Sequence, residues 1–149
     1  MDKNQYDRIV ADKANHKILA IWACDCAERV LNLFEKEHPD DSNLVNAILT
    51  ARLWINDKIK MVEARKKAFA CHNSARNSTF ESAIFAARAV GHACATAHVA
   101  THAIYAAKYA LKAIKFSEAD SEQLILKEKT WQDSHLILLL KGKQNEYKI

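Results

Sequence analysis

A chain of 149 residues that is 50% hydrophobic and 27% charged has the size and composition of one globular domain, which excludes a disordered chain. Two glycines and one proline leave few positions for turns that need a positive φ angle, and this scarcity favours long helices. The formal charge of +4 is modest and the lysines and arginines are dispersed, so we expect no nucleic-acid partner.

Hydrophobic periodicity predicts an all-α fold, a single-domain bundle of five to seven helices that spans residues 1–149. Residues 1–14 form a short, polar, peripheral helix. Asn15 is the N-cap of a second helix. This helix ends near Glu37, because the residue before Pro39 avoids the helical region.

Further cap residues divide the rest of the chain. The third helix follows the N-cap Ser42 and ends near Asn56, and the fourth ends near Ala75. A central helix follows the cap cluster 77–79 and continues to about Ile114.

The last helix begins near Ser117 and carries the apolar run Leu136–Leu140. If the rest of the chain leaves this run uncovered, it is an exposed apolar patch and marks a homodimer interface. The tail, residues 141–149, is polar, and we expect it to fray.

The most distinctive part of the central helix is Ala89–Ala107, AVGHACATAHVATHAIYAA. These nineteen residues include no Lys, Arg, Asp or Glu, but they include three histidines, one cysteine and two threonines. The length approaches the ~20 residues that span a bilayer, yet histidine and threonine are costly in hydrocarbon, so we expect no membrane span. We predict a buried helix in which Gly91 either kinks the backbone or lets a neighbour approach closely.

Two polar lines run along this predicted helix at 3.6 residues per turn. The first line consists of Cys94, His98 and His102, and the second of Arg88, His92 and Thr96. On the second helix, Asp25 precedes Arg29 by four residues, the favourable order for a helical ion pair. We predict a buried polar network composed of Asp25, Glu28, Arg29, Arg88, His92, Thr96, His98 and His102.

Three interpretations of the histidines stay open. In the favoured one they are neutral core residues bonded to carbonyls, hydroxyls, Asp25 or Glu28. In the second, Cys94, His98 and His102 bind a metal together with a ligand from another helix. The candidates for that additional ligand are Cys24, Asp25, Cys26 and His72. In the third, a histidine and a carboxylate act in acid–base catalysis. We expect neither a cofactor nor a metal, because the glutamate that follows the first histidine of a zinc HEXXH motif is replaced by Val99.

The charged N-terminal sequence MDKNQYDRIV lacks the apolar core of a signal peptide, so we expect a cytoplasmic protein with reduced cysteines. One corner of the chain, EKEHPDD, is acidic. It is either a solvated helix end or a contact surface for a partner. The acidic residues that would contact a partner are Glu35, Glu37, Asp40 and Asp41.

Two segments together resemble a known family: IWACDCAERVLNLFE at 21–35 and AARAVGHACATAHVATHAIYAAKYALKAI at 86–114. Between them lies ARLWINDKIKMVEARKKAFACHNSAR, and EKTWQDSHL follows. This order resembles the immunity proteins of bacterial polymorphic-toxin systems, specifically the immunity-five-like group. The match covers most of the chain, and three histidines in an alanine run make the core motif specific.

The resemblance implies a small all-α cytoplasmic protein that is not an enzyme and that binds and neutralises a cognate bacterial toxin. The family positions that match here are Trp22, Asp25, Cys26, Glu28, Arg29, Arg65, Arg88, Gly91, His92, Thr96, His98 and His102. The alternative function is that of a metal- or small-molecule-binding helical protein, or an enzyme, that uses the buried His/Cys cluster.

Overall fold

The computed structural model describes residues 1–117 and 121–146, with side chains as far as residue 143, and places eight α-helices and one 3₁₀ turn in them. In chain order these are α1 (Lys3–Ala11), the 3₁₀ turn (Lys13–Asn15), α2 (His16–Glu28), α3 (Leu31–Glu35), α4 (Asn43–Ile55), α5 (Met61–Arg76), α6 (Glu81–Ala95), α7 (His102–Lys115) and α8 (Ser121–Glu146). The prediction of an all-α single domain is confirmed.

Helix α6 is the buried centre of the bundle. It packs against α2, α3, α4, α5 and α7, and ten of its fifteen residues are buried. Six of those ten are alanines. Because the distance between two helix axes depends on the side chains between them, an alanine-rich surface lets several helices approach closely.

The prediction of one continuous helix through Ala89–Ala107 was wrong. Helix α6 ends at Ala95, α7 begins at His102, and the two helices pack as an antiparallel hairpin. The break follows Thr96, whose hydroxyl donates to the His92 carbonyl at 2.9 Å, while the Thr96 carbonyl accepts from His16 Nε2 at 2.5 Å. A threonine hydroxyl that bonds back by one turn bends a helix, and here the His16 contact fixes the bend.

The second predicted helix also divides, at Arg29–Val30, into α2 and α3. The amide of Val30 donates to the Ala27 carbonyl, three residues back, which tightens the last turn of α2. The bend allows both Val30 and Phe34 to be buried. Two long predicted helices thus become four, so that residues 1–117 and 121–146 contain eight α-helices.

Helix α8 crosses α2 and α7 and extends to Glu146, past residue 140, where the frayed tail was expected to begin. Residues 147–149 of that tail lie outside the described residues. The Trp22 indole N–H donates to the Gln132 carbonyl at 2.8 Å, and the Gln132 side chain donates to the Ala107 carbonyl at 3.0 Å. These two bonds connect α8 to α2 and to α7.

The apolar run 136–140 of α8 is largely covered. Leu136 is fully buried, and Leu139 and Leu140 are half-buried. Only Ile137 and Leu138 in this run are exposed, and isolated exposed hydrophobic residues are ordinary on protein surfaces. The homodimer through this helix therefore stays a prediction, which sedimentation at high concentration would test.

None of the helices in the described part of the chain combines the length and the sustained hydropathy that crossing a bilayer requires. Helix α1 has no buried residue. It is attached through the Tyr6 hydroxyl, which donates to Asp133 of α8, and Lys129 donates to the same carboxylate at 2.6 Å.

Candidate functional site

The residues predicted to form one buried network fall into separate groups in the structure. Asp25, Glu28 and Arg29 contact α4 and α8. In contrast, His92 contacts His102, and both Arg88 and His92 contact His72 of α5. His98 is exposed in the link between α6 and α7.

The first group is a carboxylate–arginine cluster between α2, α4 and α8. Helix α2 presents Asp25 and Glu28, three residues apart, on one face. Arg52 of α4 donates to Asp25 at 2.7 Å and to Glu28 at 2.8 Å. The second Asp25 oxygen contacts His135 Nε2 at 2.7 Å. Asp25 thus joins three helices through charge-assisted hydrogen bonds.

Arg29 pairs with Glu128, so the predicted helical pair between Asp25 and Arg29 was wrong. Its Nε and Nη2 donate to the two carboxylate oxygens of Glu128 at 2.6 and 3.0 Å. The guanidinium lies over the Trp131 ring, 3.9 Å from its centroid. Glu128 is a buried residue of α8, and the two-point contact compensates its charge.

The second group is a histidine cluster at the contact of α5, α6 and α7. His92 Nδ1 and His102 Nδ1 are 2.9 Å apart, and Arg88 Nη1 donates to His72 Nδ1 at 2.7 Å. The edge of His72 packs against the His92 ring with centroids 5.2 Å apart. His92 also stacks on Tyr109 at 5.2 Å with an interplanar angle of 6°.

Burial keeps these imidazoles neutral. Desolvation first, and neighbouring cationic groups second, lower the pKa of His72 and of His92 to about 4. Desolvation and then His98 lower the pKa of His102. Neutral rings fit the short Nδ1–Nδ1 contact, in which one nitrogen donates and the other accepts. A general base works best with a pKa near the working pH, so His72 and His92 are poorly matched to acid–base catalysis at neutral pH.

We expect the histidine cluster to make the protein less stable in acid. Above pH 6.5 the rings are neutral in the folded and the unfolded states, so they leave stability unchanged. Between pH 6.5 and about 4 the unfolded chain binds protons that the folded chain does not, so the free energy of unfolding falls as pH falls. Solvent screening of these half-exposed rings limits the loss to about 1–2 kcal/mol in total.

Urea denaturation across this pH range measures the effect. The matched variant is His92→Phe, which retains an aromatic ring over Tyr109 but cannot titrate. Its stability should fall less steeply with pH than that of the wild type, while carboxylate titration contributes equally to both proteins. Equal slopes for the two proteins would exclude His92 from the effect.

Gly91 of α6 lies directly against the His72 ring of α5. A Cβ atom at Gly91 would lie 2.9 Å from Cε1 and 3.0 Å from Nε2 of His72. The His72 ring cannot swing away freely, because Arg88 holds one edge and His92 packs against it. Of the two expected roles of Gly91, the structure supports close approach, since α6 continues through Gly91 to Ala95.

The effect of Gly91→Ala on the free energy of unfolding should therefore have opposite signs in the presence and in the absence of the His72 side chain. In the wild type the substitution should destabilise the protein by about 1–2 kcal/mol, because the added methyl group overpacks the contact with His72. In a His72→Ala background the same change should stabilise by about 0.5–1 kcal/mol, the helix propensity of alanine over glycine. Thermal or urea unfolding of the four proteins measures this cycle, and equal effects in both backgrounds would contradict the proposed clash.

The break after α6 separates the members of the alternative metal site, since Cys94 lies in α6, His98 in the link and His102 at the start of α7; this site stays a prediction. The Cys94 thiol is buried and donates to the Ala47 and Ala64 carbonyls at 3.4 and 3.0 Å. Burial raises the pKa of the Cys94 thiol, which disfavours the thiolate that binds metals. Among the side chains that the structure describes, in residues 1–117 and 121–143, no group of three or more His, Cys, Asp or Glu is arranged to hold a metal ion.

Comparison with known proteins identifies the family. A sequence model described as "Imm-5 like putative immunity protein" matches residues 10–138, which contain both clusters and the α6–α7 hairpin. The chain belongs to this family. No curated protein and no solved structure matches it.

In the acidic corner of this Imm-5 like protein, Asp41 differs from Glu35, Glu37 and Asp40. Asp41 accepts from the Asn43 amide at 2.9 Å and from the Ser74 hydroxyl at 2.7 Å, so it connects the start of α4 to α5. Glu35 and Asp40 are exposed, and Glu37 is half-buried. Asp41 therefore has a structural role in this Imm-5 like protein, and the other three carboxylates stay proposed contacts.

Sequence reasoning missed Arg52, Glu128 and His135, which complete the carboxylate–arginine cluster. The His135 ring stacks on Trp131 of the same helix, with centroids 4.8 Å apart. A weak signal was available, because Glu128 and Gln132 lie at four-residue spacing between Leu124 and Leu136 on one line of α8. The partners of these groups lie up to 110 residues away, which no local spacing encodes.

Proposed function

We propose that the protein binds a cognate bacterial toxin and neutralises it by occupying its surface, without a chemical step of its own, in the cytoplasm of the cell that makes the toxin. The observation that carries this proposal is the match of the immunity-protein family model from residue 10 to residue 138. That range runs from the end of α1 through most of α8, so the resemblance concerns the bundle from α2 onward rather than one motif.

The chemistry of the polar clusters supports a binding role. One Asp25 oxygen contacts His135, and the other accepts from Arg52. A carboxylate held on both sides is suited to fixing helix positions. A rigid bundle of this kind presents a preformed surface, which reduces the entropy lost when a partner binds.

Gene order gives the first test, because a cognate toxin should be encoded by a neighbouring gene, and the second test is co-expression with that toxin domain. Cells that express the toxin domain alone should stop growing, and co-expression of this protein should restore growth. The two purified proteins should co-elute as one complex in size-exclusion chromatography. A wild-type protein that neither protects cells nor forms a complex would contradict the proposal.

Titration of toxin activity separates a binding protein from an enzyme. A stoichiometric inhibitor abolishes toxin activity only at an equimolar ratio, and activity returns when the complex is dissociated. An enzyme that modifies the toxin would inactivate it at a far lower ratio, and the loss would persist after the two proteins are separated. The second outcome would favour the enzymatic alternative.

A further inference from the structure

One segment of the chain has a net positive charge because it is depleted in carboxylates. Residues 64–117 contain eight lysines and arginines and a single carboxylate, Glu81. The whole chain has 22 lysines and arginines against 18 acidic residues, so the remainder carries a net negative formal charge. The small overall charge therefore conceals a strongly cationic part, which includes all of α6 and α7.

The outer surface of the α6–α7 hairpin combines these cations with aromatic rings. We define the α6–α7 face as Phe85, Arg88, Tyr105, Lys108, Tyr109 and Lys112. Phe85 stacks on Tyr109 with centroids 6.0 Å apart, and Tyr109 stacks on His92 at 5.2 Å. Phe116 extends this row, 5.2 Å from Phe85.

The lysines of this face lie against its rings. Lys112 Nζ is 5.5 Å from the Phe85 centroid and 5.2 Å from that of Tyr109, and Lys108 Nζ is 5.7 Å from the Tyr105 centroid. Both ammonium groups belong to exposed residues, and the Tyr105 side chain is 47% exposed. The single carboxylate of the segment, Glu81, is one turn before Phe85, at the edge of the face.

A groove opens beside the α6–α7 face. It lies between α1 and α7, has a volume of about 570 Å³, and is lined by Tyr105 and Lys108 together with Tyr6, Val10 and Ile104. A side chain of a partner could enter this groove, while the partner's surface around that side chain covers the α6–α7 face. Buried anchors in pockets, surrounded by weaker contacts that exclude water, dominate the affinity of protein interfaces.

We propose that the α6–α7 face is the surface that binds the toxin, and that it accepts an acidic surface of the toxin domain with an apolar anchor for the groove. This inference rests on the proposed function and adds to it the location of the contact and the charge of the partner. Tyrosine, phenylalanine and arginine are enriched in protein interfaces, and an opposite charge on the partner accelerates association.

The arrangement of the rings favours a protein partner over a nucleic acid. Single-stranded nucleic acids bind to basic grooves by stacking bases on free aromatic faces. Here Phe85 and Tyr109 stack on each other, and Lys112 lies over both. The faces of the Phe85 and Tyr109 rings are therefore already covered by neighbouring side chains. What this part of the surface offers a partner is ring edges and the methylene groups and charge of Lys112.

Charge reversal on α7 tests the proposal. The test variant is Lys108→Glu with Lys112→Glu. The matched control is Lys13→Glu with Lys58→Glu, which makes the same change of charge at two exposed lysines outside residues 64–117. The affinity and the association rate for the toxin domain encoded beside this gene are measured at about 0.05 M and about 0.3 M salt.

The test variant should raise the dissociation constant by about tenfold or more, chiefly through slower association, and the salt dependence of the rate should weaken. The control variant should bind within about twofold of the wild type. Tyr105→Ala, at a half-exposed ring, should also weaken binding by about tenfold through lost packing. Circular dichroism and the melting temperature show first whether the charge-reversed protein folds. If it does not, the variant Lys108→Ala with Lys112→Ala replaces it.

The outcomes distinguish this inference from the proposed function. If the wild type binds the toxin domain and the α7 variants bind equally well, the location is wrong and the function stands. If the wild type does not bind, both are overturned. Binding to a fluorescent single-stranded oligonucleotide of mixed sequence is the remaining control. If the wild type binds it as tightly as the toxin, and the test variant does not, the face is a nucleic-acid site and the inference is overturned.

Discussion

Replacement of Trp22 by alanine should lower the free energy of unfolding by about 3–5 kcal/mol. The indole is fully buried, and its N–H donates to the Gln132 carbonyl at 2.8 Å. Its removal leaves a large cavity between α2 and α8 and a buried carbonyl without its partner, and both effects are destabilising. Urea denaturation followed by circular dichroism measures the change.

Two tryptophan variants serve as controls for this prediction. Trp22→Phe should fall between the wild type and Trp22→Ala, because it keeps most of the ring volume but loses the N–H donor. Trp131→Ala should cost only about 1 kcal/mol, because Trp131 is half-buried and contributes mainly its stacking with Arg29 and His135. Equal losses at the two tryptophans would show that burial does not explain the effect.

The Arg52→Met substitution should lower the free energy of unfolding by about 2 kcal/mol. Methionine keeps much of the apolar stem but removes the guanidinium that donates to Asp25 and Glu28. These two carboxylates, three residues apart on α2, would then repel each other with less compensation. Because the cluster is partly exposed, the loss is smaller than for a fully buried ion pair.

A double-mutant cycle isolates the contribution of the pair. With Asp25→Asn in the background, Arg52→Met should cost clearly less, because one of the two unpaired charges is absent. The matched control is Lys17→Met, which removes the solvent-exposed partner of Asp57 together with ammonium contacts to the Trp54 carbonyl and ring, and it should cost about 1 kcal/mol. If Arg52→Met lowers the free energy of unfolding no more than Lys17→Met does, the carboxylate–arginine cluster does not stabilise the fold as predicted.

These stability variants also separate fold from function. Neither Trp22 nor Arg52 lies on the α6–α7 face, so each should reduce protection against the toxin only as far as it reduces the amount of folded protein. Growth assays at a lower temperature should then restore protection by the Arg52→Met variant. The α7 charge-reversed variant should fold normally and still fail to protect, which no loss of stability would explain.

The sequence by itself determined the class of the fold and the family. Alanine abundance, helical periodicity and N-caps are local properties, so they place α4 after Ser42 and predict a buried alanine-rich centre without knowledge of any neighbour. The histidines among small residues made the family recognisable for the same reason, because a motif is read along the chain.

Only the tertiary structure decided which side chains meet. Periodicity placed Cys94, His98 and His102 on one face, but a hydroxyl–carbonyl bond at Thr96 and the contact with His16, 80 residues away, end the helix first. The hairpin then brings His102 to His92, and α4 and α8 bring Arg52 and His135 to Asp25. A helical repeat fixes neighbours three and four residues apart, whereas contacts between helices depend on where each helix ends and how the helices pack, which are properties of the assembled bundle.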